Sequence, residues 1–156
     1  MAHIEKSLLV GAPLREVYDQ WTQFEEFPRF MDGVEEVRQL DDNTLYWRAS
    51  IAGVEREWHA EIVEQVPDRR VAWRNLTGKQ NSGIVSFRPA DDRTTEVTLR
   101  VDYDPEGVAE SVGDALGLVS RRVQGDLKRF RDFIEERGKA TGGWRGEIHA
   151  REVDRR

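Results

Sequence analysis

Between residues 34 and 103 the chain alternates apolar and polar positions with period two, and beyond residue 107 the apolar positions recur at steps of three and four. The first pattern is that of strands with one buried face; the second is that of an amphipathic helix. Leu45, Trp47, Ala49 and Ile51 alternate with Tyr46, Arg48 and Ser50. Val54, Arg56, Trp58, Ala60 and Ile62 share a face opposite Glu55, Glu57, His59 and Glu61. Val71, Trp73 and Asn75 follow, and Val97, Leu99, Val101 and Tyr103 close the series. Strands are therefore predicted over 34–40, 45–51, 54–62, 70–76, 82–88 and 94–103. The turn clusters between them (Asp41-Asp42-Asn43, Ala52-Gly53, Pro67-Asp68, 78–81 and 89–93) are short, so the six strands form an antiparallel meander.

Val108, Val112, Leu116, Val119, Val123, Leu127, Phe130 and Ile134 lie on one face of a helix predicted over 107 to 137, with Asp104 as its N-cap. Such a helix runs roughly 45 Å at 1.5 Å per residue, enough to cross a small sheet. Gly113, Gly117 and Gly125 each cost it about 1 kcal/mol against Ala. Close packing on the sheet, room for a ligand, or a partner subunit would offset that cost, which leaves a homodimer open. Ahead of the meander, 4–10 reads as a first strand. Gly11-Ala12-Pro13 stops it and opens a helix whose Leu14, Val17, Tyr18 and Trp21 point inward. A further helical turn falls within 22–31, opened or interrupted by Pro28, before Asp32-Gly33 turns the chain back. The expected fold class is α+β: a curved seven-stranded antiparallel sheet around a long C-terminal helix, with two short helices after the first strand.

Composition adds exclusions. The 156 residues suit one domain, expected over 1–138, with 139–156 as a polar, solvated tail. Its 24 basic and 30 acidic residues give a net charge of −6, which argues against nucleic acid as a partner. There is no cysteine, so disulfides, thiol catalysis and Cys-based metal sites are excluded. The N-terminus lacks the apolar run of a signal peptide and no segment approaches a membrane span, so the chain is read as cytoplasmic without membrane insertion.

The element order, together with Gly11-Ala12-Pro13-Leu14-Arg15-Glu16-Val17-Tyr18-Asp19 and Phe27-Pro28-Arg29-Phe30, resembles the helix-grip fold of the SRPBCC superfamily, Bet v 1-like and START-like. Within it the chain is similar to the bacterial polyketide cyclase/dehydrase and lipid-transport group, over residues 3 to 137. The resemblance implies an internal cavity for a lipid, polyketide, quinone or other flat apolar molecule. In some members it implies cofactor-free cyclisation or aromatisation by polar side chains within the cavity.

Trp47, Trp58 and Trp73 project to one face of three successive strands, joined by Phe87 and Tyr103. Indoles offer flat apolar area and one N–H donor, and they either fill a core or line a narrow cavity. Arg56 and Asn75 are the polar members of the inward sets. Either would meet a ligand carboxylate or carbonyl, or Arg56 would reach solvent, Glu64, Asp102 or Asp104. Val112 and Leu116 complete the expected ligand-binding set from the helix. His3, His59 and His149 are scattered without metal spacing, and His59 falls on the acidic outer face, so neither metal nor cofactor is expected. Ser82 lacks a nucleophile elbow, and the Gly113 to Gly117 spacing lies within a helix whose Asp114, Arg121 and Arg122 are unsuited to lipid. Three functions remain: a carrier of a small hydrophobic molecule, a cyclase or dehydratase using Tyr103, Arg56 or Asn75, and a protein-interaction module with a filled interior.

Overall fold

The computed structural model describes residues 2–51, 53–77, 81–103 and 112–154, with the side chains of all but 2, 51 and 112–119. The expected N-cap Asp104, the helix start at 107, and the side-chain surroundings of Val112, Gly113, Leu116 and Gly117 lie outside the described residues.

Strand β1 (Ala2–Val10) leads into helix α1 (Leu14–Trp21) and a 3₁₀ turn (Phe24–Arg29). Six strands follow: β2 (Val34–Asp41), β3 (Thr44–Ile51), β4 (Val54–Val66), β5 (Arg70–Asn75), β6 (Asn81–Asp91) and β7 (Thr94–Tyr103). Helix α2 (Val112–Arg137) and two short strands, β8 (Glu147–His149) and β9 (Glu152–Asp154), complete the order. The sheet runs β1-β7-β6-β5-β4-β3-β2, antiparallel throughout, with β1 closing the meander's far side from Ala2 opposite Tyr103 to Val10 opposite Thr95. This is the helix-grip arrangement.

Helix α1 begins after Pro13 and stops where the Thr22 hydroxyl donates to the Asp19 carbonyl at 2.6 Å. Helix α2 stops at Gly138, whose positive φ of 77° lets its N–H donate to the Ile134 carbonyl at 2.8 Å. Val123, Leu127, Phe130 and Ile134, four of the eight positions of the expected apolar face, are buried against the sheet. Phe130 meets Trp21 at 5.1 Å and Phe30 at 5.3 Å between ring centroids, both edge-on, so α1, the 3₁₀ turn and α2 share one aromatic cluster.

Two departures from expectation matter. Strand β4 does not stop at Ile62 but continues to Val66 through a bulge between Ile62 and Glu64. The extra residue reverses the parity, so Ile62 and Gln65, three apart, are both buried. Residues 139–154, expected to be solvated, fold back and end in the β8–β9 hairpin, which among the described residues adds two short strands to the seven expected. Ile148 is fully buried and pairs with Gln65, beyond the last β3 partner of β4. The Thr141 N–H donates to Gln20 Oε1 at 2.8 Å, and the Trp144 N–H donates to Thr22 Oγ1 at 3.1 Å. Arg145 bridges Asp19 and Asp68 and lies over the Tyr18 ring. Burial pushes the Tyr18 hydroxyl up to about 12, so at neutral pH it is a protonated partner for Gln65 Nε2, which donates to it at 3.1 Å.

Candidate functional site

Between sheet and α2 lies a partly enclosed cavity of about 350 Å³, inside the range of small-molecule sites. Its sheet wall follows the register. One rung across the sheet carries Leu45, Ala60 and Asn75, and Asn81 lies one step beyond the Arg74–Ser82 pair; the next rung carries Ile62, Trp73, Gly83 and Val101. Trp47 and Trp58 are direct cross-strand partners, stacked at 5.7 Å with planes 9° apart, and Phe27 lies 5.6 Å from Trp47. Trp73 lays its indole across Gly83, where an added Cβ would come within 2.3 Å of the ring.

Among the described residues the helix wall is Arg122, Val123 and Asp126. These belong to a clamp on the loop between the 3₁₀ turn and β2. Arg122 donates to the Asp32 carbonyl, Asp126 accepts from the Asp32 N–H at 3.0 Å, and Arg129 Nε donates to the Phe30 carbonyl at 2.8 Å. Arg129 also meets Asp126 at 2.6 Å. Burial raises the Asp126 carboxyl above the usual range, and these hydrogen bonds and the guanidinium groups of Arg129 and Arg122 oppose the rise. Gly33, at φ 80°, lets the loop pass under Arg122; a Cβ there would also sit 2.7 Å from the Ser50 carbonyl.

Of the residues expected at the site, Trp47, Trp58, Trp73 and Asn75 line the cavity. Arg56 does not: residues Val54, Glu55, Arg56 and Glu57 are all exposed, so the first part of β4 projects beyond the covered sheet and the guanidinium reaches water. Phe87 is buried on the α1 side, edge-on to Tyr18 at 5.4 Å, and is core. Tyr103 is buried opposite Asn81 but off the cavity wall, and its hydroxyl has no hydrogen-bond partner among the described residues. The expected set lacked Trp21, Phe24, Phe27 and Met31, which close the cavity from the α1 side, and Arg122 and Asp126. The i to i+3 spacing of Phe24 and Phe27 was a readable signal. Arg122 and Asp126 flank the apolar stripe at Val123 and Leu127 and read as solvated helix charges.

Gly83→Ala is expected to displace the Trp73 ring and lower stability by about 1–3 kcal/mol. Urea unfolding with near-ultraviolet circular dichroism measures both effects, and an unchanged tryptophan spectrum would contradict the packing.

The family described as polyketide cyclase/dehydrase and lipid transport matches residues 10–131. An uncharacterised 17.2 kDa protein of Streptomyces lincolnensis is 50% identical over 149 residues, covering 95% of this chain and 99% of that one. A crystal structure of a Deinococcus radiodurans protein is 30% identical with a TM-score of 0.69, covering 88% of this chain and 99% of the other. The Zhui aromatase/cyclase of Streptomyces sp. R1128 is similar in fold, with a TM-score of 0.78 at 20% identity, over 91% of this chain and 98% of its own. No described helix is long and apolar enough to cross a membrane.

Proposed function

Because the chain belongs to the polyketide cyclase/dehydrase and lipid-transport family, we propose that it binds and carries a small hydrophobic molecule in the cavity between sheet and α2, without converting it. The observation that carries this reading is the wall itself: about 350 Å³ of open space faced by three half-buried indoles, Phe24, Phe27 and aliphatic side chains. Burying a flat apolar body there removes apolar area from water on both partners.

A cyclase needs a polar group aimed at the reacting carbon skeleton. Arg56 is exposed, Tyr103 is off the wall, and the Asp126 carboxylate is engaged by the Asp32 N–H and Arg129; Asn75 does line the cavity, but a neutral carboxamide can hold a carbonyl and has no proton to give or take at neutral pH. The interaction-module reading needs a filled interior and an exposed Trp144; the interior is open, and Trp144 is half-buried against the core. The test is titration with N-phenyl-1-naphthylamine, a neutral apolar fluorophore. Saturable binding with quenching of tryptophan emission is expected, and absence of saturable binding would sink the carrier reading.

A further inference from the structure

The cavity wall is not uniformly apolar: apart from Arg122 and Asp126 on the helix and the buried Trp47 Nε1, which has no partner among the described residues, its polar side chains lie in one rung. Along that rung Leu45 and Ala60 come first, then Asn75, Asn81 and, opposite Asn81, Tyr103. The rung beside it, Ile62 to Val101, is wholly apolar. Two carboxamides from neighbouring strands thus reach the cavity at one end of a single row, next to a buried hydroxyl with no partner among the described residues. Each carboxamide carries two N–H donors and an acceptor oxygen, so it can hold a neighbour and still offer a group to a ligand.

The charged groups on the wall point the same way. Among the described residues they are Arg122 and Asp126, one of each sign, four apart on α2 and both engaged with the backbone of Asp32. An ionised ligand would lose its hydration there, and for an anion the attraction of the Arg122 guanidinium is offset by the Asp126 carboxylate one helical turn away.

Resting on the carrier reading, we infer that the ligand is an uncharged amphiphile, a flat apolar body with a hydroxyl, keto or amide end held by Asn75 and Asn81. The apolar body lies against Trp47, Trp58 and Trp73. The Asn75 and Asn81 pair therefore sets both orientation and selectivity.

Three probes of one shape test this: naphthalene, 2-naphthol and 2-naphthoate, each displacing N-phenyl-1-naphthylamine from the intact protein at neutral pH. 2-Naphthol is expected to bind about tenfold more tightly than naphthalene, the scale of one or two neutral hydrogen bonds, with 2-naphthoate weakest. The Asn75→Leu, Asn81→Leu double variant should bring 2-naphthol to within about threefold of naphthalene, whose own affinity is retained. Asn75→Ala and Asn81→Ala, taken singly, read the same ratio if the double variant does not fold. Arg56→Leu, off the wall, should leave the ratio unchanged. Equal affinity for naphthalene and 2-naphthol, tightest binding of 2-naphthoate, or a ratio untouched by the asparagine variants overturns the inference while leaving the carrier reading in place. Failure of the fluorophore itself to bind sinks both.

Discussion

Removal of residues 139–156 is expected to cost the domain most of its stability, although this segment adds only two three-residue strands to the sheet. Ile148 is fully buried, and truncating one such side chain to Ala costs about 2–5 kcal/mol against a total of about 5–15 for a domain. The cut also strips Arg145 from between Asp19 and Asp68. Asp19, whose carboxyl burial already pushes up, would then face Asp68 with no cation between them. Gln20 would lose its partners at Thr141. Ile148→Ala is the milder form and should lower stability by about 2–5 kcal/mol. Urea unfolding followed by circular dichroism measures both, and a midpoint unchanged by the cut would show that the hairpin is an ornament.

The second large effect is expected from Ala60→Phe. Ala60 is buried on the cavity wall, between Leu45 and Asn75 in the polar-ended rung, so a benzyl group there grows into open space and not into packed atoms. Binding of N-phenyl-1-naphthylamine should weaken at least about tenfold, a loss of roughly 1.4 kcal/mol or more. Stability should change by less than about 1.5 kcal/mol, because filling a void avoids the strain of overpacking. Fluorescence titration and urea unfolding of the same preparation separate the two. Parent-like affinity in a folded variant would place the probe elsewhere.

The sheet was legible because one face is buried and the other wet, which stamps period two on β3, β4, β5 and β7. The same parity placed Trp47, Trp58, Trp73 and Asn75 together. Parity reports which face a side chain takes, and not how far along the strand the cover extends. Arg56 therefore had the right face and no roof, and Phe87 had the right face but sat under α1. The hairpin was illegible for a local reason. Its two-residue turn, Ala150-Arg151, has φ of 48° and 74°, the primed-turn conformation that Asn-Gly or Asp-Gly would have announced. Tertiary pairing holds two ordinary residues in it: the Arg151 N–H donates to the Val63 carbonyl at 3.0 Å, and Asn43 Nδ2 donates to the Arg151 carbonyl at 3.2 Å. The bulge at Val63 likewise leaves no mark in composition, and it determines which side of β4 faces Tyr18.

Strand β4 outruns its neighbour: β3 ends its pairing at Thr44 opposite Glu61, whereas β4 runs on to Val66. That length would leave a raw margin of backbone donors and acceptors, the template on which a second chain adds a strand. Here the β8–β9 hairpin fills it, with the Arg151 N–H taking the Val63 carbonyl and Ile148 pairing beside Gln65. A sheet stoppered by its own hairpin keeps its colloidal behaviour in residues 147–154. Loss or displacement of that hairpin would show as precipitation and strand-mediated self-association alongside the fall in stability.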